Sequence, residues 1–200
     1  TYEIGEPIMV TANSDVDGAW VGLYQAGDDT SSVKSYWWYY VNGSYGGKSW
    51  TNGETYNIYN TVSENGRGGY SDYRGLVEAG KYKLVLFYGD QSVSKEIEVT
   101  NPADTTTSVE VEKDTYTVGE TVKVKSNAYA WGDWVGIYKT TYTDLASVPS
   151  SGYEDYHYAV GHNGLWFEYP SLGEGEYTAV LWSNEGAEAT AMDTFTVVEG

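Results

Sequence analysis

Cysteine is absent from the 200 residues, so no disulfide staples the fold and no thiol serves as nucleophile or metal ligand. Histidine occurs only at His157 and His162, without a third ligand pattern beside them, which removes the usual zinc sites. Basic residues are few. Against 29 Asp and Glu there are 11 Lys and Arg, a formal net charge of −18. A chain so charged repels polyanions, which excludes nucleic acid and anionic membrane surfaces as partners and leaves neutral polysaccharides or oligosaccharides open. Long apolar runs are missing, so no membrane insertion is expected. The start at Thr1 fits a mature chain whose targeting signal has been removed.

Catalytic signatures are missing too. There is no Gly-x-Ser-x-Gly elbow and no phosphate-cradling Gly-Lys-Ser/Thr loop. Carboxylate neighbours such as Glu154-Asp155, Glu174/Glu176 and Asp28-Asp29 lack the pocket that acid and base residues require for glycoside cleavage, and they read as solvated surface. The expectation is a protein that is not an enzyme and needs no cofactor. Asp15-Val16-Asp17-Gly18 resembles the start of a calcium loop, which keeps a structural calcium open, but no later carboxylate completes the pattern.

What the chain has in excess is Tyr and Trp, 21 and 8 against 3 Phe. Cores built for packing alone would use Phe and aliphatics, which leave no hydroxyl or indole N–H to satisfy, so many of these rings are expected to meet water or a polar ligand. The aromatics are also repeated. Trp20-Val21-Gly22-Leu23-Tyr24 returns as Trp134-Val135-Gly136-Ile137-Tyr138, and Tyr2-x-x-Gly5-Glu6 returns as Tyr116-x-x-Gly119-Glu120, at a constant offset of 134 − 20 = 114. Later, Gly80-Lys81-Tyr82 faces Gly175-Glu176-Tyr177 at an offset of 177 − 82 = 95, so copy one carries 114 − 95 = 19 more residues in its middle. That surplus is placed at about 42–73, as an aromatic-rich surface insertion that includes Tyr45 and Trp50. Thr100-Asn101-Pro102-Ala103-Asp104-Thr105-Thr106-Thr107 is polar and Pro-marked, which sets two domains over 1–101 and 107–200 joined by a short linker.

Helix signals are nearly absent, whereas short β-branched and aromatic runs such as Val122-Lys123-Val124-Lys125 and 81–88 recur between Gly, Asn and Asp turns. The expected fold is all-β, two tandem immunoglobulin-like β-sandwich domains. Trp20 and Trp134 stand where a sandwich places its core Trp, and Gly80-x-Tyr82 and Gly175-x-Tyr177 open a late strand in the manner of a tyrosine corner.

The pattern Tyr-x-x-Gly-Glu, then Trp-Val-Gly-(Leu/Ile)-Tyr, then a late Gly-x-Tyr strand resembles bacterial immunoglobulin-like modules of surface proteins and hydrolases from gut Firmicutes. In its tandem, aromatic-rich form it is similar to the starch-adherence proteins of amylosome complexes. The resemblance implies non-catalytic recognition of starch or maltooligosaccharide at the bacterial cell surface, beside other surface glycan-degrading proteins. The same scaffold also serves as a structural spacer, an adhesion module or an accessory domain of a secreted hydrolase.

Candidate binding residues follow from register and from the comparison of the copies. Aligned on Gly43 and Gly161, an offset of 161 − 43 = 118, Trp38 and Tyr40 pair with Tyr156 and Tyr158, and these are assigned to the core. Their neighbours Trp37 and Tyr39 then face outward, because strand side chains alternate. Flat outward rings stack on the apolar faces of sugars, so Trp37 and Tyr39 are the expected platform, with Trp50 or Tyr45 closing one side. In copy two, Trp131 stands opposite Asp17, and Trp166 has no clear counterpart, so both are candidates.

Overall fold

The computed structural model describes residues 1–41, 49–60 and 78–200. By internal contacts the chain divides into two compact units, Thr1–Pro102 and Ala103–Gly200. Unit 1 runs through β1 (Tyr2–Glu3), β2 (Met9–Thr11), β3 (Trp20–Gln25), β4 (Trp38–Tyr40), β5 (Thr55–Asn57), β6 (Gly80–Tyr88) and β7 (Gln91–Thr100). One sheet takes the order β1-β7-β6-β3-β4, and β2 pairs with β5 in the other. Unit 2 continues with β8 (Ser108–Val111), β9 (Thr115–Thr117), β10 (Val122–Asn127), β11 (Trp134–Tyr138), β12 (Asp155–Tyr158), β13 (Trp166–Tyr169), β14 (Gly175–Ser183) and β15 (Glu188–Val198). Its sheets are β12-β11-β14-β15-β9 and β13-β10-β8.

The two copies share register as well as order. Tyr2 sits opposite Val99 on parallel β1 and β7, and Tyr116 sits opposite Val197 on parallel β9 and β15. Every other pair among the described strands is antiparallel, including Trp20 with Tyr40 and Trp134 with Tyr158, which matches the glycine-anchored alignment. A short early strand parallel to the last (β1 in unit 1, β9 in unit 2), a long final hairpin and a second sheet across the core make each unit an immunoglobulin-like β-sandwich. Among the described residues, helix is confined to the 3-10 turns Ile58–Asn60 and Leu145–Ser147.

The late Gly-x-Tyr strand forms the expected corner in both copies. Tyr82 donates its hydroxyl to the Glu78 carbonyl at 2.9 Å, and Tyr177 donates to the Gly173 carbonyl at 2.7 Å. Each bond ties the ring, buried at the start of a central strand, to the chain four residues upstream. Burial pushes the Tyr82 hydroxyl up to about 12, so it remains a donor at neutral pH.

Two features depart from the sequence reading. Residues 49–60, assigned to a surface insertion, contain β5 and bury Trp50, Asn57, Ile58 and Tyr59, so this middle portion belongs to the scaffold. It corresponds to β13, since β2 pairs with β5 as β10 pairs with β13. His157, which by the same offset of 118 is the counterpart of the outward-assigned Tyr39, is buried against Phe167, with stacked rings 3.7 Å apart and Nδ1 hydrogen-bonded to the Tyr169 hydroxyl.

Desolvation holds His157 well below its ordinary value of 6.5, and it lowers His162 as well. The unfolded chain therefore binds more protons than the folded one below about pH 6.5, and stability falls as pH falls through that window. Both histidines lie in unit 2. Between about pH 7.5 and about pH 5.5, unit 2 should lose up to about 1.4 kcal/mol per pH unit for each histidine, while unit 1 changes little. Denaturant melts followed through resolved amide signals of each unit check this, and equal losses in both units would refute it.

Candidate functional site

The central strand of each unit sets the site. On β3, Val21 and Leu23 enter the core, and Trp20, Gly22 and Tyr24 occupy the other face because successive side chains alternate. A glycine on the core face would leave a void, whereas on the outer face it makes room for the rings beside it. A Cβ built on Gly22 would stand 3.0 Å from both the Trp20 and Tyr24 rings, and one on Gly136 would stand 2.7 Å from Trp134 and 3.0 Å from Tyr138. The rings close over the glycine in both copies.

Neighbouring strands extend this layer. In unit 1, Trp20 stacks on Phe87 from β6 at a centroid distance of 4.2 Å, Tyr24 meets Phe87 edge-on at 6.2 Å, and Trp38 meets Tyr40 edge-on at 5.3 Å on β4. In unit 2, Trp134 stacks on Trp182 at 5.5 Å and 5°, and Tyr153 and Tyr156 stand edge-on to it at 5.2 and 6.2 Å. Tyr158 continues the row at 6.0 Å from Tyr156. Matched positions 20/134, 38/156, 40/158 and 87/182 are thus aromatic on the same outer face of both units.

One end of each layer is covered. In unit 2 the loop after β11 lies on the sheet, with the Tyr142 N–H donating to Thr178 Oγ1 at 3.1 Å and Thr178 Oγ1 donating to the Thr140 carbonyl at 2.7 Å. Leu145 and Val148 pack there on Tyr138, Val180 and Trp182. Trp182 Nε1 donates to the Tyr138 hydroxyl at 3.1 Å, and burial pushes that hydroxyl up to about 12, so it stays protonated. The other end remains open: Tyr156 is 46% exposed and Tyr153 39%. In unit 1 Tyr24 is buried while Trp20, Trp38, Tyr40 and Phe87 are half-buried.

The expected platform therefore needs correction. Trp37, Tyr39 and Trp50 do come together, but inside the core of unit 1, where Trp37 is 1% exposed and Tyr39 stacks on Trp50 at 5.6 Å. The cause is one residue of facing. Val21 stands opposite Tyr39 and Gly22 opposite Trp38, so Tyr39 shares the inward face of Val21, and Trp38 shares the outward face of Gly22. The indole N–H of Trp50 finds no acceptor among the described residues. Trp20 and Trp134, expected as buried core, are half-buried in the outer layer. Tyr45 lies outside the described residues. Trp131 is half-buried in the loop between β10 and β11. Trp166 is 38% exposed on the opposite sheet, with Lys125 Nζ 4.4 Å from its ring centre. Trp166, on β13, lies in a different sheet from the row at Trp134. Asp15 and Asp17 are exposed, and among the described residues no group of three or more acidic or His side chains is arranged to hold a metal ion.

The residues that sequence reasoning missed are Trp38, Tyr40, Tyr153, Tyr156 and Tyr158. Their signal was present in the glycine at the centre of Trp-Val-Gly-(Leu/Ile)-Tyr.

No family model and no curated protein matches the chain. Among solved structures it is similar to the N-terminal four Ig domains of Dscam1 isoform 6.44, at 14% identity and a TM-score of 0.27 over 99% of this chain and 42% of that one. It is likewise similar to those of isoform 8.4, at 13% identity and a TM-score of 0.29 over the same shares. The chain thus spans about two fifths of those chains (42%). At such values the likeness says nothing of ligand or partner, and the immunoglobulin-like fold is read from the strand order itself.

Gly136→Ala places a methyl against the Trp134 ring without backbone strain, since no left-handed φ is present there. It should cost unit 2 about 1 to 3 kcal/mol and alter the emission of Trp134. Gly22→Ala, with 3.0 Å of clearance instead of 2.7 Å, should cost unit 1 less. Paired chemical melts read both, and indifference of both units would show that the rings do not close over the glycines.

Proposed function

We propose that the protein is a non-catalytic carbohydrate-binding module whose two outer aromatic layers take neutral glycan. The observation that carries this reading is the repetition of an open aromatic row at equivalent positions, ending in the exposed rings of Tyr153 and Tyr156 in unit 2 and the half-buried Trp38 and Tyr40 in unit 1. Contiguous exposed rings are unusual on a solvated sheet and mark a binding surface. Sugars offer apolar C–H faces edged by hydroxyls, which suit flat rings with hydroxyls at their rim. The net charge of −18 turns away anionic polymers and leaves neutral ones unaffected. Among neutral glycans the sequence resemblance singles out starch and maltooligosaccharide, bound outside the cell or at its surface, alongside other glycan-degrading proteins.

A second reading is a structural spacer or adhesion module of immunoglobulin type. It is favoured by how far the rings already satisfy one another: Trp134 lies flat on Trp182, and Trp20 lies flat on Phe87, as surface packing would place them.

Affinity electrophoresis in starch, cellulose and xylan, followed by calorimetry with a maltooligosaccharide, separates the two. Tyr156→Ala and Trp38→Ala should each weaken binding by several-fold, the equivalent of about 0.5 to 1.5 kcal/mol per stacked ring, with melting temperatures nearly unchanged. Trp37→Ala should instead destabilise unit 1 by about 3 to 5 kcal/mol through the cavity it leaves. Retardation by none of the glycans would reject carbohydrate binding and favour the spacer reading.

A further inference from the structure

Asp133 is buried, 2% exposed, and stands directly before Trp134 at the start of β11. Its Oδ2 accepts the backbone N–H groups of Ala130 at 3.0 Å and Tyr129 at 3.3 Å, which folds the β10–β11 loop over the carboxylate. Its Oδ1 is shut off from solvent and has no hydrogen-bond partner among the described residues. Burial, the largest influence on the group, pushes the carboxyl up from its ordinary value of 3.8, and the nearby Glu185 charge adds to that, while the N–H groups of Ala130, Tyr129 and Glu185 draw it back. Because the folded chain binds that proton more tightly than the unfolded one, the ionised form subtracts from the stability of unit 2 at neutral pH. Packing alone calls for a small apolar residue, and unit 1 has one. At the repeat offset of 114 the counterpart is Ala19, equally buried, in a loop of the same form: the Ala19 N–H donates to the Val16 carbonyl at 3.2 Å as the Asp133 N–H donates to the Ala130 carbonyl at 3.1 Å.

The β14–β15 turn meets the loop at this point. Asn184 and Glu185 take left-handed backbone, at φ of 54° and 62°, and Gly186 follows at 77°. Outside glycine such a backbone is strained, so the turn needs support from its surroundings. It is pressed against Trp134: a Cβ built on Gly186 would stand 2.7 Å from the indole Nε1 and 2.8 Å from Cδ1. Gly132 backs it from the other side, where a Cβ would lie 3.7 Å from the Glu185 Cα and carbonyl. Gly132, Asp133 and Trp134 thus pack on Glu185 and Gly186 as one block, and Trp134 is the ring against which Trp182, Tyr153 and Tyr156 rest. The corresponding hairpin of unit 1 turns through Gly89 and Asp90 alone, between the paired Tyr88 and Gln91, whereas that of unit 2 turns through four residues between the paired Ser183 and Glu188. The buried carboxylate and the longer turn occur together in unit 2, and unit 1 has alanine with the shorter turn.

We propose that Asp133 is the positioning residue of the unit 2 aromatic row: its buried carboxylate holds the β14–β15 turn against the indole edge of Trp134 and so sets the ring that the row presents, resting for its ligand on the glycan reading of that row. A carboxylate accepts on both sides, toward the N–H groups of its own loop and toward the N–H of Glu185. An amide of the same shape has one acceptor and serves one side only. A charge kept in the interior against stability, beside an open aromatic row, marks a functional position rather than a packing one.

The test compares Asp133→Asn with the unmodified full chain by amide exchange, by the indole N–H signal of Trp134 and by calorimetry with maltoheptaose. The Ala187 amide, which closes the turn on the Ser183 carbonyl at 2.9 Å, should exchange at least about tenfold faster in the variant. The Trp134 indole signal should shift, maltoheptaose affinity should fall about fivefold or more, and the amide signals of unit 1 should stay in place. Gly186→Ala, which forces the turn off the indole with the carboxylate intact, should reproduce the indole shift and the lost affinity, and it reads the same link if Asp133→Asn fails to fold. An unchanged indole signal and Ala187 exchange rate in Asp133→Asn would overturn the positioning role, as would a displaced turn with undiminished affinity. If the unmodified chain binds no glycan while the indole and Ala187 signals still respond to Asp133→Asn, the glycan reading of the row fails and Asp133 is a structural tie alone.

Discussion

Glycine flanked by two rings on the central strand is the constraint on which both units depend. Gly22 and Gly136 are buried beneath Trp20 and Tyr24, and Trp134 and Tyr138, and any larger side chain would displace the rings. With the rings fixed to one face, Val21 and Leu23, or Val135 and Ile137, must enter the core, and the adjoining strands inherit their facing through the ladder. Trp38 and Tyr40 turn outward for that reason, and Trp37, Tyr39 and Val41 turn inward to meet Trp50 and Ile58. One small residue thus divides the aromatics between packing and surface.

The repeat, the all-β class and the tyrosine corners were legible because each rests on a local pattern that a β-sandwich requires at fixed spacing. The pairing of Trp38 with Tyr156 and Tyr40 with Tyr158 was legible too, since a constant offset survives without knowledge of structure. Facing was not, because two-residue periodicity gives two answers and an all-aromatic run such as Tyr36-Trp37-Trp38-Tyr39-Tyr40 favours neither. The assignment of the matched pairs Trp38/Tyr156 and Tyr40/Tyr158 to the core fails for a related reason. A duplicated unit keeps its surface layer as readily as its core, and Trp50, unmatched in the alignment, lies in the interior.

Acidity and aromatic excess act together rather than separately. A sheet face paved with rings invites self-association, and a net charge of −18 opposes it by mutual repulsion between copies. Lysines placed over rings, as Lys125 over Trp166 and Lys139 over Tyr177, shield individual aromatics by a second route. Among the described residues no such lysine lies over Trp134, Tyr153 or Tyr156.

β8 is held by its ladder to β10 nearby in the chain and by two hydrogen bonds that reach far along it, Val111 to Asp193 across 82 positions and Thr107 to Thr190 across 83. Nearly the whole of unit 2 must be in place before either can form, and the cost of closing so long a loop falls on the last step. The hairpin of β14 and β15, joined by a tight turn, carries no such cost. β8 therefore sits at the meeting of two scales of contact, a near-sequence ladder to β10 and distant ties to β15, and only the distant ties carry the entropy of a closed loop.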